Sequence, residues 1–349
     1  MANSILRAAG LALVATLAIG AAAQAGGYRP PRTVSGQPDL QGLWSNAWLT
    51  RLERPKGFAG LEATEAEAAA YERAPPPQVV DDVGGNESEM WETGGRLARI
   101  GGRARSSVIV DPADGRLPYT ETGAETARTM IRRAAQNFDG PEPRTTSEQC
   151  LLSNAAGPPM LTAPYNNNIQ IVQTRDRVVL VLEWNHEART VRLDDRRHLP
   201  PVIRPWMGDS VGWWQGNTLV VETTNFPERQ RPRRGGPDLF YLSPQAKVVE
   251  SFTRSSPIEI RYQFSVEDPA IYGQVWRGEA PFTTTSVKTY EFACHEGNYS
   301  LPDILAGARA VQRSAAAVAA PSATLAETAS GGGQPSRATA TADRATPSR

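Results

Sequence analysis

Three histidines, His186, His198 and His295, are the side chains here best suited to moving a proton near neutral pH. His186 lies in Glu183-Trp-Asn-His-Glu187, and His295 lies in Cys294-His-Glu-Gly-Asn298. A histidine beside a carboxylate can act as an acid–base pair, while Asn and Tyr side chains can hold a substrate carbonyl or a developing oxyanion. On that basis His295, His186, Glu296 and Asp209 are the candidate catalytic groups. Tyr165, Asn167, Asn225, Trp206, Trp276 and Asn298 are the candidate substrate contacts. The plainer reading puts the Asn run 166–168 in a turn, Glu222 and Glu279 in solvent, and His186 at a strand end.

If a strand runs from Val178 to His186, alternation places His186 on the face of Leu180, Leu182 and Trp184. Neither His186 nor His295 can then be oriented by its neighbour, Glu187 or Glu296. A partner has to come from across the sheet. A metal held by His186, His295 and one carboxylate is the competing arrangement. No His-x-His, His-x-x-Glu-His or His-Glu-x-x-His spacing supports it, so no metal is expected. Gly-x-Ser-x-Gly, the P-loop and the Rossmann fingerprint are also missing, so no nucleotide or other cofactor is expected.

The elements that must position these groups begin after an export signal. Arg7 precedes the apolar run from Leu11 to Gly20, and Ala23-Gln-Ala25 supplies a small-x-small cleavage site. The run is shorter than the roughly 20 residues a spanning helix needs. No twin arginine precedes it and no Cys follows the cleavage site, so no lipid or membrane anchor is expected. The chain is read as periplasmic or secreted, cleaved near Ala25. In such a compartment the only two cysteines, Cys150 and Cys294, are expected to pair.

Residues 26–150 read as a Pro- and Gly-rich strap with one short strand, followed by short helices. Thr64-Glu-Ala-Glu67 and Thr122-Gly-Ala-Glu125 have the side chains of capping boxes, the first opening a helix to Arg73 and the second one to about Phe138. Residues 151–310 are β-rich. Segments at Ile169–Thr174, Arg177–Trp184, Ala188–Leu193, Gly212–Asn225, Ala246–Arg254, Glu259–Val266, Gln274–Thr284 and Lys288–Cys294 are separated by turn residues, with Gln215-Gly-Asn217 as a hairpin turn. Ile258, Ile260, Tyr262, Phe264 and Val266 alternate with polar residues, the period of a strand with one buried face. The expected fold is mainly β: an antiparallel meander forming a lipocalin-like barrel or a sandwich, with the strap and two or three short helices. From Val311 to residue 349 the chain is rich in Ala, Ser and Thr and is expected to be disordered.

Charge narrows the partners. The 37 basic and 37 acidic residues cancel, and no basic block is interleaved with aromatics, so nucleic acid is not expected. The densest positive patch, Arg229-Gln-Arg-Pro-Arg-Arg234, sits among Pro and Gly and reads as a solvated loop.

Five stretches, Gln37–Trp44, Pro164–Asn168, Trp206–Ser210, Leu219–Phe226 and Ala293–Tyr299, resemble a large, mostly uncharacterised family of exported bacterial proteins. The resemblance spans about residues 37–309. That family has no established activity or cofactor, so the resemblance implies none here. Gly42-Leu-Trp44 with the meander is also similar to lipocalins. The sequence reading is of an exported, cofactor-independent acid–base enzyme, a lyase, isomerase, hydratase or hydrolase, acting on a small organic molecule. The alternative is a lipocalin-like periplasmic binding or scavenging protein for an apolar or aromatic ligand, drawing on Trp184, Trp206, Trp213, Trp214 and Trp276. Neither reading fixes the oligomeric state.

Overall fold

A computed structural model describes residues 28–74, 95–152, 157–163, 165–235 and 238–319. The expected export signal, the residues around the Pro75-Pro-Pro77 stop and the tail from 320 lie outside the described residues. The chain divides into two compact units, Met1–Leu305 and Ala306–Arg349.

The first unit contains β1 (Gly42–Ser45), β2 (Glu62–Ala63), α1 (Glu65–Arg73), β3 (Arg99–Ile100), β4 (Arg103–Arg105), β5 (Ile109–Asp111) and α2 (Glu121–Gln136). Then come β6 (Asn168–Gln173), β7 (Arg177–Leu182), β8 (Ala188–Arg192), β9 (Asp209–Gln215) and β10 (Thr218–Thr224). After these follow β11 (Arg233–Gly235), β12 (Asp238–Phe240), β13 (Lys247–Ser256), β14 (Glu259–Glu267) and β15 (Trp276–Thr284). Helix α3 (Ser300–Ala319) ends the described chain. It continues past Val311, so residues 311–319, expected to be disordered, are helical.

The fold is mainly β. Strands β1, β6–β10 and β13–β15 close into a nine-strand barrel, β1 joining β15 through Trp44↔Thr284 and β6 through Trp44↔Ile169. Strand β5 adds to the opposite end of β15's free edge. Alternation places side chains as expected: β14 alternates strictly between buried and half-buried residues with Ile260, Tyr262, Phe264 and Val266 inward, although Ile258 precedes the strand and is exposed. Gly216, at φ +60, makes the turn between β9 and β10.

Four expectations need correction. The sheet is mixed, because β8 and β9 run parallel, with Val191 opposite Ser210. Residues 193–208 therefore return along the outside of the wall, as a parallel connection requires. Residues 288–294 form no strand. Strand β7 stops at Leu182, because Trp184–His186 is a tight 3-10 turn with Asn185 at φ 53. The second helix starts earlier than its expected box: Thr120, not Thr122, caps α2 by accepting from the Gly123 N–H at 2.9 Å. Gly123 packs so closely on Ile271 that any Cβ would collide with its carbonyl. The first capping box forms as expected, with the Thr64 hydroxyl accepting from Glu67 N–H and the Glu67 carboxylate from Thr64 N–H.

The strap seals one end of the barrel. Gln173 accepts from Leu40 N–H at 3.2 Å and donates to the Pro38 carbonyl at 3.0 Å. Trp44 Nε1 donates to the Leu40 carbonyl at 2.9 Å, and the Arg254 guanidinium lies 5.4 Å from the Trp44 ring. The other end is the mouth.

Candidate functional site at the barrel mouth

Residues 157–163 cross the mouth as a buried cover. Buried backbone groups need partners, and side chains from the wall and from β11 supply them. Met160 N–H donates to the Tyr262 hydroxyl at 2.9 Å, Asn46 Nδ2 to the Leu161 carbonyl at 3.0 Å, and Arg233 Nη2 to the Pro158 carbonyl at 2.6 Å. Asn167 closes the segment, its amide accepting from Ala163 N–H at 2.7 Å and donating to the Ala163 carbonyl at 2.8 Å.

Below the cover the lumen is filled, not hollow. Trp276, Phe252, Phe264 and Phe282 are buried in it, with a polar layer at the mouth end. There Arg189 and Glu250, 2% and 0% exposed, form a two-pronged ion pair, with Arg189 Nη1 at 3.0 Å from Glu250 Oε1. Arg189 Nε donates to Ser210 at 3.1 Å, its Nη2 donates to Thr223 at 2.8 Å, and the Tyr262 hydroxyl donates to Glu250 at 2.8 Å. All the charge in this layer is paired, which is the condition for keeping ions in so dry a place. Burial and the neighbouring Glu250 charge push the Tyr262 hydroxyl well above its usual range. Arg233 lies near it, 4.6 Å from the Phe240 ring; burial pushes its pKa down to about 10, against the pull of the Glu187 charge.

Beside the cover is a recess lined by Asn46, Met160, Leu161, Asn166, Leu182 and Trp184, among others. Its volume is about 20 Å³, space for roughly one water. Three aromatic rings meet at Trp184, which lines it. Tyr165 stacks on Trp184 at 4.4 Å, and Phe292 lies 5.2 Å from Trp184 and 6.5 Å from Tyr165, all within 30° of parallel. These distances make nearly a right angle at Trp184, so Tyr165 and Phe292 do not sandwich the indole. The Cys150–Cys294 disulfide, with Cα atoms 5.8 Å apart, forms as expected and pins the segment bearing Phe292. Asn298 adds a bond from Nδ2 to the Glu148 carbonyl at 2.9 Å.

The expected site residues thus separate into groups. Tyr165, Asn167, Asn298 and the two cysteines belong to the mouth, and so does the backbone turn of His186, whose side chain lies outside the described residues. Trp276 is a core residue at 0% exposure. His295 and Glu296 are exposed on a turn, and no hydrogen bond of the His295 ring is formed among the described residues. Glu279, read as solvated in the plainer account, is buried between Arg105 (3.0 Å) and Arg261 (2.8 Å).

Asp209 and Asn225 sit elsewhere, on the outer wall under the crossover, where they hold the histidine that sequence reasoning set aside. His198 Nδ1 is 2.8 Å from Asp209 and its Nε2 is 3.2 Å from Glu222. Asp209 also takes both oxygens to Arg192 Nη2, at 3.0 and 3.1 Å, and accepts from Leu199 N–H at 2.9 Å. Asn225, at φ 58, donates to the Leu199 carbonyl at 2.9 Å, while the Trp206 carbonyl accepts from Gln230 at 2.9 Å. With both ring nitrogens engaged by carboxylates, His198 clamps the crossover to the wall. A free nitrogen for a substrate proton is not left.

No family model, curated protein or solved structure matches the chain. Its chemistry therefore has to be read from the mouth itself. Among the described residues, no group of three or more His, Cys, Asp or Glu side chains is arranged to hold a metal ion. No described helix is long and apolar enough to cross a membrane.

Proposed function

We propose that this is an exported small-molecule binding protein that takes a flat, aromatic ligand at the barrel mouth, against Trp184. The observation that carries this reading is the convergence of Tyr165 and Trp184, which flank the β6–β7 hairpin, with the distant Phe292 beside a recess. Stacked aromatics with an incompletely covered indole are a platform for another ring. Because the lumen is filled, the ligand sits at the rim and enlarges the recess by moving side chains, rotamer changes of the kind common on binding. Acid–base catalysis has less behind it, since His198 is held by two carboxylates and His295 has no orienting partner among the described residues.

The test is a tryptophan-fluorescence titration with toluene, indole and 1-naphthol. Saturable binding of at least one of them, weakened about tenfold or more in Trp184→Leu with the melting temperature kept, is the expected result. No saturable binding, or equal binding by Trp184→Leu, overturns the reading.

A further inference from the structure

The recess beside Trp184 carries an acceptor whose hydrogen-bonding capacity is unused. Around it most amides are spent: Asn167 bonds Ala163 through both ends of its side chain, and Asn168 Nδ2 donates to Glu183 at 2.8 Å. Asn46 is different. It is 4% exposed, and its Nδ2 donates to the Leu161 carbonyl at 3.0 Å, which fixes the orientation of the amide, because a carbonyl oxygen only accepts. The other atom, Oδ1, is therefore a fixed acceptor. It makes no hydrogen bond among the described residues, yet it is not shut off from solvent.

Position puts this atom where a ligand can reach it. Asn46 lies two residues past the buried Trp44, in step with it, so its side chain falls on the inward face at the mouth end of β1. It lines the recess together with Trp184 and Asn166. Asn166 is half-buried and brings a second amide that makes no hydrogen bond among the described residues. The recess measures about 20 Å³, room for one group the size of a water. Such a group has to donate to Asn46 Oδ1 and can accept from the Asn166 amide. A hydroxyl does both.

We infer that the ligand of the mouth is a phenol, a flat aromatic whose O–H donates to Asn46 Oδ1. This rests on the binding reading above and names its ligand class. The hydroxyl fills the space already open, and the ring lies outside it against Trp184, where the side-chain movement is needed. A methyl group of the same size strips Asn46 Oδ1 of water without replacing the hydrogen bond, which costs affinity. An ether oxygen meets Oδ1 with a second acceptor and has no proton to give, so a phenol is preferred to its methyl ether as well.

Three probes separate these contributions: phenol, toluene and anisole, titrated by tryptophan fluorescence. The native protein should bind phenol about fivefold or more tighter than toluene or anisole, a buried acceptor left unpaired being worth at least that. Asn46→Ala removes the acceptor and should bring the three affinities within about twofold of one another, with circular dichroism showing that the barrel is kept. Should Asn46→Ala fail to fold, having lost the tie to Leu161, the three affinities of the native protein decide alone. If phenol binds the native protein no tighter than toluene or anisole, or if its preference survives Asn46→Ala, the phenol inference is overturned while the binding reading stands. If none of the three binds, the phenol inference falls, and the binding reading falls with it only if indole and 1-naphthol fail as well.

Discussion

Met160 N–H donates to the hydroxyl of Tyr262 at 2.9 Å, so the cover of the mouth is tied directly to a side chain inside the barrel. The same hydroxyl donates to Glu250 at 2.8 Å, which links the cover to the Arg189 ion pair. The link runs through one oxygen atom. Removing that oxygen releases the cover and strips Glu250 of a partner at once.

Tyr262→Phe should therefore cost at least about 1.5–3 kcal/mol, the worth of a hydrogen bond to a charged group, with the orphaned Met160 amide adding to the loss. Urea unfolding monitored by circular dichroism reads the loss. A change below about 0.5 kcal/mol would show that the cover is held by packing alone.

For the ion pair itself, the test is asymmetry. Arg189→Met or Glu250→Leu alone strands a buried charge and should destabilise by about 3–5 kcal/mol, whereas the double variant should recover most of that. Additive losses in the double variant would contradict the pairing of Arg189 with Glu250. How readable this layer was depends on phase. Arg189 is in step with inward Val191, and Glu250 with inward Val248 and Phe252, so alternation alone marks both as buried charges needing each other. The mouth offers no such rhythm. Trp184 and Phe292 meet through a turn that breaks the strand at Asn185 and through a segment without regular structure, and local pattern carries no information about either. His198 was obscured in another way: the crossover that brings it to Asp209 exists because β8 and β9 are parallel, and a meander of hairpins does not produce that connection.

Asp209 makes a prediction about acid. Burial pushes its carboxyl up, but the Leu199 N–H, the His198 ring and the Arg192 guanidinium together outweigh that and hold it below the usual carboxylate range. With the folded-state pKa depressed, its contribution is fully present above the unfolded value of about 3.9 and fades as pH falls through the lower, folded one. Subtracting the stability–pH profile of Asp209→Asn from that of the native protein should leave a difference that is flat above about pH 5 and shrinks below it. A difference that grows on acidification would contradict the assignment.

The Cys150–Cys294 bond turns part of the polypeptide into a covalent ring. Every stave from β6 to β15 is threaded on that ring, but β1, which shuts the wall between β6 and β15, lies outside it. A proteolytic nick within the ring leaves its two new ends attached through the disulfide. A nick between Ser45 and Cys150 instead leaves β1 held by hydrogen bonds and packing alone. Loss of that four-residue stave would bare the edges of β6 and β15 as templates for strand addition, so the seam of the barrel is also its point of greatest exposure to self-association.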